Sequence, residues 1–321
     1  MHDMKNKKVF IDWTSVEMEK FNNKTYEALA KDLINDAFYL EQRSRRGTIA
    51  TIRQYSEIIA RRVLDLPCNE FVTIGNKNIL KELEKRSNNN PILLDSLKRI
   101  CAMGNKSTHT QEIAEITEED LKEVIDNLFN LYSYLLIDFF ERYSFGSNLE
   151  IVSSFSILPP IIRYKTLKYL NDRYPENLLI LDKLSLAMLK AFDRETAVNW
   201  IEKRKELLEN TSSVSEKAKL NMIEKMGNEL ASIVISDAPN MYQLCLNRIN
   251  SVANTIESKG KLYDDFESAI TLYYQEGIIK GDAPDVIEFN SIMEFLYLGR
   301  KAKKNQLLEE KEEYLLIDTL F

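Results

Sequence analysis

Apolar residues recur every three or four positions along most of the chain, which is the spacing of an amphipathic helix. The clearest case is 118–142, where one apolar face continues for about six turns. Thr117, followed three residues later by Asp120, predicts a capping box at the start of this helix. The pattern predicts an all-α protein.

The same spacing predicts helices in both halves of the chain. In the first half they are expected at 26–40, 48–66, 78–86, 91–103 and 118–142. In the second half they are expected at 161–173, 177–192, 194–209, 215–235, 239–258, 262–278 and 285–316. No residue signature repeats at the fixed period of a helical-repeat array, so an irregular bundle and a degenerate array both stay open.

The segment 144–160 interrupts this regularity. It contains Gly146, several serines and the pair Pro159–Pro160, without a helical period. We interpret it as a domain connector with a short extended piece at 151–158. The expected organisation is a helical domain at 1–147 followed by a domain of stacked helical hairpins at 148–321, with protease cleavage expected at the connector.

Composition narrows the class of protein further. The 9 glycines and 7 prolines among 321 residues are about half of average usage, which disfavours β-sandwiches and glycine-fingerprint dinucleotide folds. The 43 basic and 50 acidic residues give a net charge of −7, which disfavours a protein that coats nucleic acid but allows a local basic patch. The charge is uneven, since residues 1–110 carry +5 and residues 111–150 carry −8.

Targeting and redox signals favour the cytoplasm. The polar start of the chain predicts no signal peptide, and the most apolar stretch, 131–140, is short and carries Asp138, so no membrane span is expected. Cys68, Cys101 and Cys245 have no C-x-x-C spacing, which argues against a zinc site or a disulfide framework. We expect no metal and no cofactor.

The chain has too few histidines for most known types of catalytic site. His2 and His109 are the only histidines, so a multi-histidine metal site is excluded and a Ser-His-Asp or Cys-His site would need His109. The segment 104–107 is superficially similar to the end of a phosphate-binding loop but lacks the required glycine spacing. The acidic residues at 118–120 fit the start of a helix, where they complement its dipole.

A group of elements in the first half resembles the HEPN superfamily, whose small domains are four-helix bundles. The elements are the helical stretch around 32–37, the run 53–57, the element Gly104-Asn105-x-x-x-His109 and the Thr117-capped helix, which together span roughly residues 25–143. The branch with a G-N-x-x-x-H element is met beside or fused to restriction and phage-defence proteins. The resemblance implies a four-helix bundle, a homodimer formed around 104–109, and a role in bacterial anti-phage defence or stress response.

Active HEPN ribonucleases carry R-x(4–6)-H, often with a polar residue after the arginine, and cleave RNA without a metal across a dimer. When this motif is placed on the present sequence, His109 matches the histidine and Asn105 matches the polar residue. The arginine would fall on Ala102, Met103 or Gly104. An arginine is needed to neutralise the charge on the phosphate, whereas a histidine supplies only acid–base catalysis.

The expected function is therefore a non-catalytic or weakly active HEPN-like protein that binds a partner protein, RNA or nucleotide, with the C-terminal helices as a docking surface. The alternative is a divergent ribonuclease that uses His109 and Asn105 with a displaced arginine, either Arg99 or one at 43–62. His109 would also suit a purely structural role, bonding a carbonyl at the helix end.

Six arginines form a second candidate site, for RNA or a partner: Arg43, Arg45, Arg46, Arg53, Arg61 and Arg62. On one continuous helix, Arg46, Arg53 and Arg61 fall near one side, where they could follow phosphates. Aromatic residues that would stack bases are sparse in this stretch. The alternative is an internal role, in which the arginines meet the acidic run at 112–120.

Overall fold

The computed structural model of the protein describes residues 21–67, 70–109 and 115–303. Within these ranges the chain forms fifteen α-helices and one π-helical turn, and no strand. The predicted all-α class is confirmed. The first five helices are α1 (Asn23–Phe38), α2 (Arg45–Leu64), α3 (Lys77–Arg86), α4 (Pro91–Thr108) and α5 (Glu118–Arg142).

Ten further helices follow. They are α6 (Leu149–Phe155), α7 (Pro160–Arg173), α8 (Leu178–Ala191), α9 (Arg194–Glu202), α10 (Lys205–Glu209), α11 (Glu216–Met226), α12 (Asn228–Asp237), α13 (Met241–Lys259), α14 (Phe266–Leu272) and α15 (Pro284–Tyr297). The π-helical turn, Tyr273–Gly277, continues directly from α14.

Short polar side chains set the start of the first five helices. Each accepts a hydrogen bond from a backbone N–H of the first turn, which satisfies a donor that the helix itself leaves unpaired. These N-cap residues are Asn22, Ser44, Asn76, Asn90 and Thr117. Thr117 and Asp120 form the predicted capping box, and α5 has the predicted bounds.

The first five helices pack around α2. This helix lies against α1, α4 and α5, and α4 also lies along α5. The buried face of α2 is apolar, with Ile49, Ile52, Tyr55 and Ile59 almost completely buried. This packing places the C-terminal end of α4 beside the N-terminal half of α2.

The predicted extended piece at 151–158 is wrong, because this segment contains α6. Ile151, Val152 and Phe155 of this helix are buried, and so is Leu158 after it, whereas Leu149 in its first turn is exposed. The helix is only seven residues long, about two turns, which is too short for its apolar residues to show a helical period in the sequence. The apolar core runs without a break from the first helix to the last. The division into domains at 144–160 stays a prediction.

In the second half, α7 packs along α8, and α13 packs against both α8 and α9. Two expected helices are each divided. The expected helix at 194–209 is α9 and α10, and the one at 215–235 is α11 and α12. Gly227 separates α11 from α12 because its backbone has a φ of 82°, in the left-handed region that glycine tolerates.

Arg62 joins the N-terminal helices to α15. Its guanidinium carbon lies 5.3 Å from the ring centroid of Phe21 and 5.4 Å from that of Phe295. Its nitrogens donate to the Asn23 side chain, at 2.6 Å, and to the Ser291 hydroxyl, at 3.1 Å. Burial lowers the pKa of Arg62 to about 10.

Arg300 makes a second junction between the same parts of the chain. Its buried guanidinium lies 4.6 Å from the ring centroids of both Phe38 and Phe266. It donates to the Tyr132 hydroxyl at 3.2 Å and pairs with Glu267 at 3.4 Å. Helices α1, α5 and α14 therefore meet around one arginine.

Candidate functional site

The G-N-x-x-x-H element lies at the C-terminal end of α4. The expectation that a helix ends around Gly104 is wrong by about one turn, because α4 continues to Thr108. His109 is the C-cap, and its backbone N–H donates to the Asn105 carbonyl oxygen at 3.0 Å. The side chains of Asn105 and His109 are exposed.

Gly104 lies against the side chain of Arg53 on α2. A Cβ atom at Gly104 would lie 2.3 Å from the Arg53 Cδ atom, closer than any real contact. The glycine therefore allows α2 and α4 to approach closely at this point. The Nε atom of Arg53 is buried and has no hydrogen-bond partner.

Arg46 caps the C-terminal end of α4. Its Nη1 atom donates to the Lys106 carbonyl oxygen at 2.9 Å. A positive charge at this position complements the helix dipole. Lys106 itself lies 4.0 Å from Asp120 on α5.

Arg45 meets the acidic segment that precedes α5. It donates to the Ile116 carbonyl oxygen at 3.3 Å, and its nitrogens lie 3.8 Å from Glu115 and 3.9 Å from Glu118. The internal contact between the basic stretch and the acidic run is thus present at Arg45. The part of the run at 112–114 lies outside the described residues.

The capping box at the start of α5 holds the carboxylate of Asp120 near the end of α4. The Thr117 backbone N–H donates to the Asp120 carboxylate at 2.9 Å, and this bond holds the pKa of Asp120 below its ordinary value. The nearby Lys106 lowers the same pKa further. Asp120 therefore stays ionised beside the end of α4.

Arg99 is not brought to His109. It forms an ion pair with Glu123 on α5 at 2.5 Å. Ten residues along a helix correspond to about 15 Å, so Arg99 and His109 lie in different parts of α4. The Asn105 amide points back along α4, with Nδ2 3.9 Å from the Cys101 sulfur.

The remaining arginines of the candidate set have internal partners at other places. Arg43 pairs with Asp36 at 3.1 Å. Arg61 donates to the Pro67 carbonyl oxygen at 3.2 Å, and Arg62 lies between two rings as described above. The structure therefore places Arg46 and Arg53, and not Arg99, beside the helix end that carries His109.

A larger unusual surface lies on α11 and α12, which form a helical hairpin. These two helices pack against each other, and neither packs extensively against any other helix of the described residues. The base of the hairpin is closed by the bridge between Ser212 and Asn240. Its large apolar side chains are exposed: Leu220 by 66%, Leu230 by 59% and Ile233 by 57%, with Ile223, Met226 and Val234 at 38–45%.

This surface was not predicted, because the pattern at 215–235 indicates one amphipathic helix with a buried face. In the structure, Ala231 is the one fully buried residue among the described side chains of the hairpin. Contiguous exposed apolar surface of this kind marks interaction sites in soluble proteins. The signal in the sequence was Gly227, because apolar residues lie both before and after this glycine within 215–235.

No group of three or more histidine, cysteine, aspartate or glutamate side chains suited to a metal ion occurs within residues 21–67, 70–109 and 115–303. In the same ranges, no helix has both the length and the apolar composition that a membrane crossing requires.

Comparison with protein-family models, with curated proteins and with solved structures finds no match to this chain in any of the three. The resemblance to HEPN domains rests on the residues quoted from the sequence.

Proposed function

We propose that the protein is a non-catalytic, HEPN-like binding protein of bacterial anti-phage defence or stress response, and that it assembles through the α11–α12 hairpin. One observation carries the proposal: six large apolar side chains of the hairpin are exposed by 38–66%. Keeping such side chains in water is unfavourable by roughly 25 cal/mol per Å² of apolar area. A partner surface would remove this cost.

The proposed occupant is a second copy of the chain. Helix α11 carries three lysines and two glutamates, whereas α12 carries Glu229 and Asp237 and no basic residue. A two-fold arrangement that lays α11 of one protomer on α12 of its partner therefore brings opposite net charges together. Two such hairpins form a four-helix bundle, the usual way in which paired apolar helix faces are buried.

The expected dimer is weak. Each helix of the hairpin is only about 15 Å long, so the interface falls in the small class that is characteristic of transient complexes. Dissociation in the micromolar range is expected. A reversible dimer of this kind suits a protein that responds to a trigger.

Light scattering after size-exclusion chromatography tests the proposal. The wild type should form a dimer at about 100 µM and dissociate on dilution, as expected for an interface of this class. Ile233→Lys should be monomeric throughout, because a lysine in the apolar face stays hydrated. Ile287→Lys is the matched control, since Ile287 on α15 is 56% exposed against 57% for Ile233. It should dimerise like the wild type.

Two results would overturn this proposal. One is a wild type that stays monomeric at 100 µM, which would assign the hairpin to a different protein. The other is an Ile233→Lys variant that still dimerises while Asn105→Lys does not, which would place the interface at the end of α4, as the HEPN resemblance implies.

One structural observation supports the alternative function, a ribonuclease. Arg46 and Arg53 contact the turn that carries the G-N-x-x-x-H element, so either could supply the displaced arginine. Against it, Arg99 pairs with Glu123, and Arg46 is bonded to backbone. We expect no cleavage of single-stranded RNA or tRNA above background without added metal.

Wild type and His109→Ala should be compared in this assay. Cleavage by the wild type that His109→Ala abolishes would establish the ribonuclease, and Arg53→Ala and Arg46→Ala would then identify the arginine. Loss of such an arginine would cost about 100- to 1,000-fold in rate. Arg99→Ala is the control and should cleave like the wild type.

A further inference from the structure

Arg163, on α7, is a buried arginine that has no hydrogen-bond or ion-pair partner among the described residues. Its exposed fraction is 5%, yet its Nε and Nη2 atoms are both buried and have no hydrogen-bond partner. None of the ion pairs in the described part of the chain includes it. This contrasts with Arg300, whose guanidinium is equally buried but pairs with Glu267.

The two unpartnered atoms form one edge of the guanidinium group. The N–H bonds of Nε and Nη2 run parallel on this edge, which is the edge that binds two oxygens of one carboxylate or phosphate group. A buried charge without such a partner is strongly unfavourable, because the desolvation of the ion is not repaid. The two unpaired N–H groups are thus arranged as the binding of an oxyanion requires.

A second unpaired donor lies on the same face of α7. Thr166, three residues after Arg163, is completely buried, and its hydroxyl has no hydrogen-bond partner. Residues three apart on a helix are neighbours, so Thr166 lies next to Arg163 on the surface of α7.

The surroundings of Arg163 favour a negative charge. Arg163 lies in the first turns of α7, and no side chain caps this helix, so its dipole adds to the positive charge. The ring of Tyr263 lies 5.8 Å from the Arg163 guanidinium carbon, and the Tyr263 hydroxyl donates to the Ser156 carbonyl oxygen. Tyr263, in the segment 260–265 between α13 and α14, therefore lies over the guanidinium.

We propose that Arg163 and Thr166 form a binding site for a phosphate group, which enters beneath the segment 260–265. Three donors, two from Arg163 and one from Thr166, suit the several oxygens of a phosphate better than the two of a carboxylate. The phosphate can be inorganic or part of a nucleotide. The site is separate from the hairpin and does not depend on the function proposed for it.

Thermal unfolding of the full chain, in chloride buffer of constant ionic strength, tests the site. Inorganic phosphate should raise the melting temperature of the wild type by about 5 °C at 100-fold above its dissociation constant. Arg163→Met should remove this rise. Without phosphate, Arg163→Met should melt at the same temperature as the wild type or higher, since no ion pair is lost.

Arg300→Met is the matched control. It breaks a buried ion pair, so it should melt lower than the wild type in chloride and still respond to phosphate. Thr166→Val keeps the shape of the side chain and removes the hydroxyl. By isothermal titration calorimetry, it should bind phosphate about 10-fold more weakly than the wild type.

Parallel titrations with AMP and acetate distinguish the ligands. A response to AMP as well as phosphate assigns the site to a nucleotide phosphate, and a response to phosphate alone assigns it to the free ion. A response to acetate without one to phosphate would overturn the phosphate assignment. No response to any anion, or a lower melting temperature of Arg163→Met in chloride, would overturn the site.

Discussion

At the scale of single residues, Gly104 illustrates how packing decides the identity of a residue inside a helix. Glycine lowers helix stability by about 1 kcal/mol relative to alanine. Gly104 nevertheless lies inside α4, because the Arg53 side chain occupies the space that a Cβ would need. The first residue of the G-N-x-x-x-H element therefore has a packing role.

We expect Gly104→Ala to destabilise the protein. The added methyl group would lie 2.3 Å from Arg53 Cδ, and overpacking of this kind costs about 1–3 kcal/mol, more than the gain in helix propensity. Urea unfolding measures the change. In a double-mutant cycle, Arg53→Ala should remove the penalty of Gly104→Ala, and a penalty that persists in the double variant would contradict this explanation.

At the scale of elements, α5 was predicted with its observed bounds because three signals coincide. Thr117 and Asp120 mark its start, and one apolar face continues to its end. The helix α6 was missed for the opposite reason. It is only seven residues long, about two turns, so its apolar residues do not recur often enough to reveal a helical period.

The candidate site was predictable in part. The sequence identified the arginine-rich stretch that forms α2 and the turn that carries His109. It could not show that Arg46 and Arg53 reach this turn while Arg99 pairs with Glu123, because these contacts depend on how α2 and α5 pack against α4. Arg163 was missed because burial without a partner has no local sequence signature.

Limited proteolysis distinguishes α6 from a flexible connector. Chymotrypsin cuts after large apolar residues. Phe145, Phe155 and Leu158 are buried, whereas Leu149 at the start of α6 is exposed, as are Leu220 and Leu230 of the α11–α12 hairpin. We expect early cleavage within 216–237, and none after Phe145, Phe155 or Leu158 before global unfolding. The control is the same digest in denaturant, where both segments should be cut. Early cleavage at 144–160 that leaves two stable fragments would instead support the predicted domain boundary.

At the scale of the whole molecule, two arginines join the first helices to the last. Arg62 lies between Phe21 and Phe295, and Arg300 lies between Phe38 and Phe266. Such cation–π contacts contribute about 2 kcal/mol or more where the rings are desolvated. The N-terminal helices and α15 should therefore unfold together.

Phe295→Ala tests this cooperativity. Phe295 is completely buried, and its ring stacks on that of Tyr55 at 5.8 Å, so the variant should lose about 3–5 kcal/mol of unfolding free energy. Hydrogen exchange should show the loss in α1 and α2 as well as in α15. Phe71→Ala is the control, since Phe71 is 81% exposed, and it should change stability by less than about 0.5 kcal/mol. Faster exchange confined to α15 would contradict a single cooperative unit.

The junction at Arg62 also has a consequence for protein synthesis. Asn23 and Arg62 bond to Ser291, which the ribosome adds more than two hundred residues later. At roughly 5–20 residues per second, translation of that interval takes tens of seconds. Throughout this time the nascent chain holds α1 and α2 without the helix that covers them. Their apolar faces are then available to chaperones, and the final closure of the N-terminal helices follows the emergence of α15 from the ribosome.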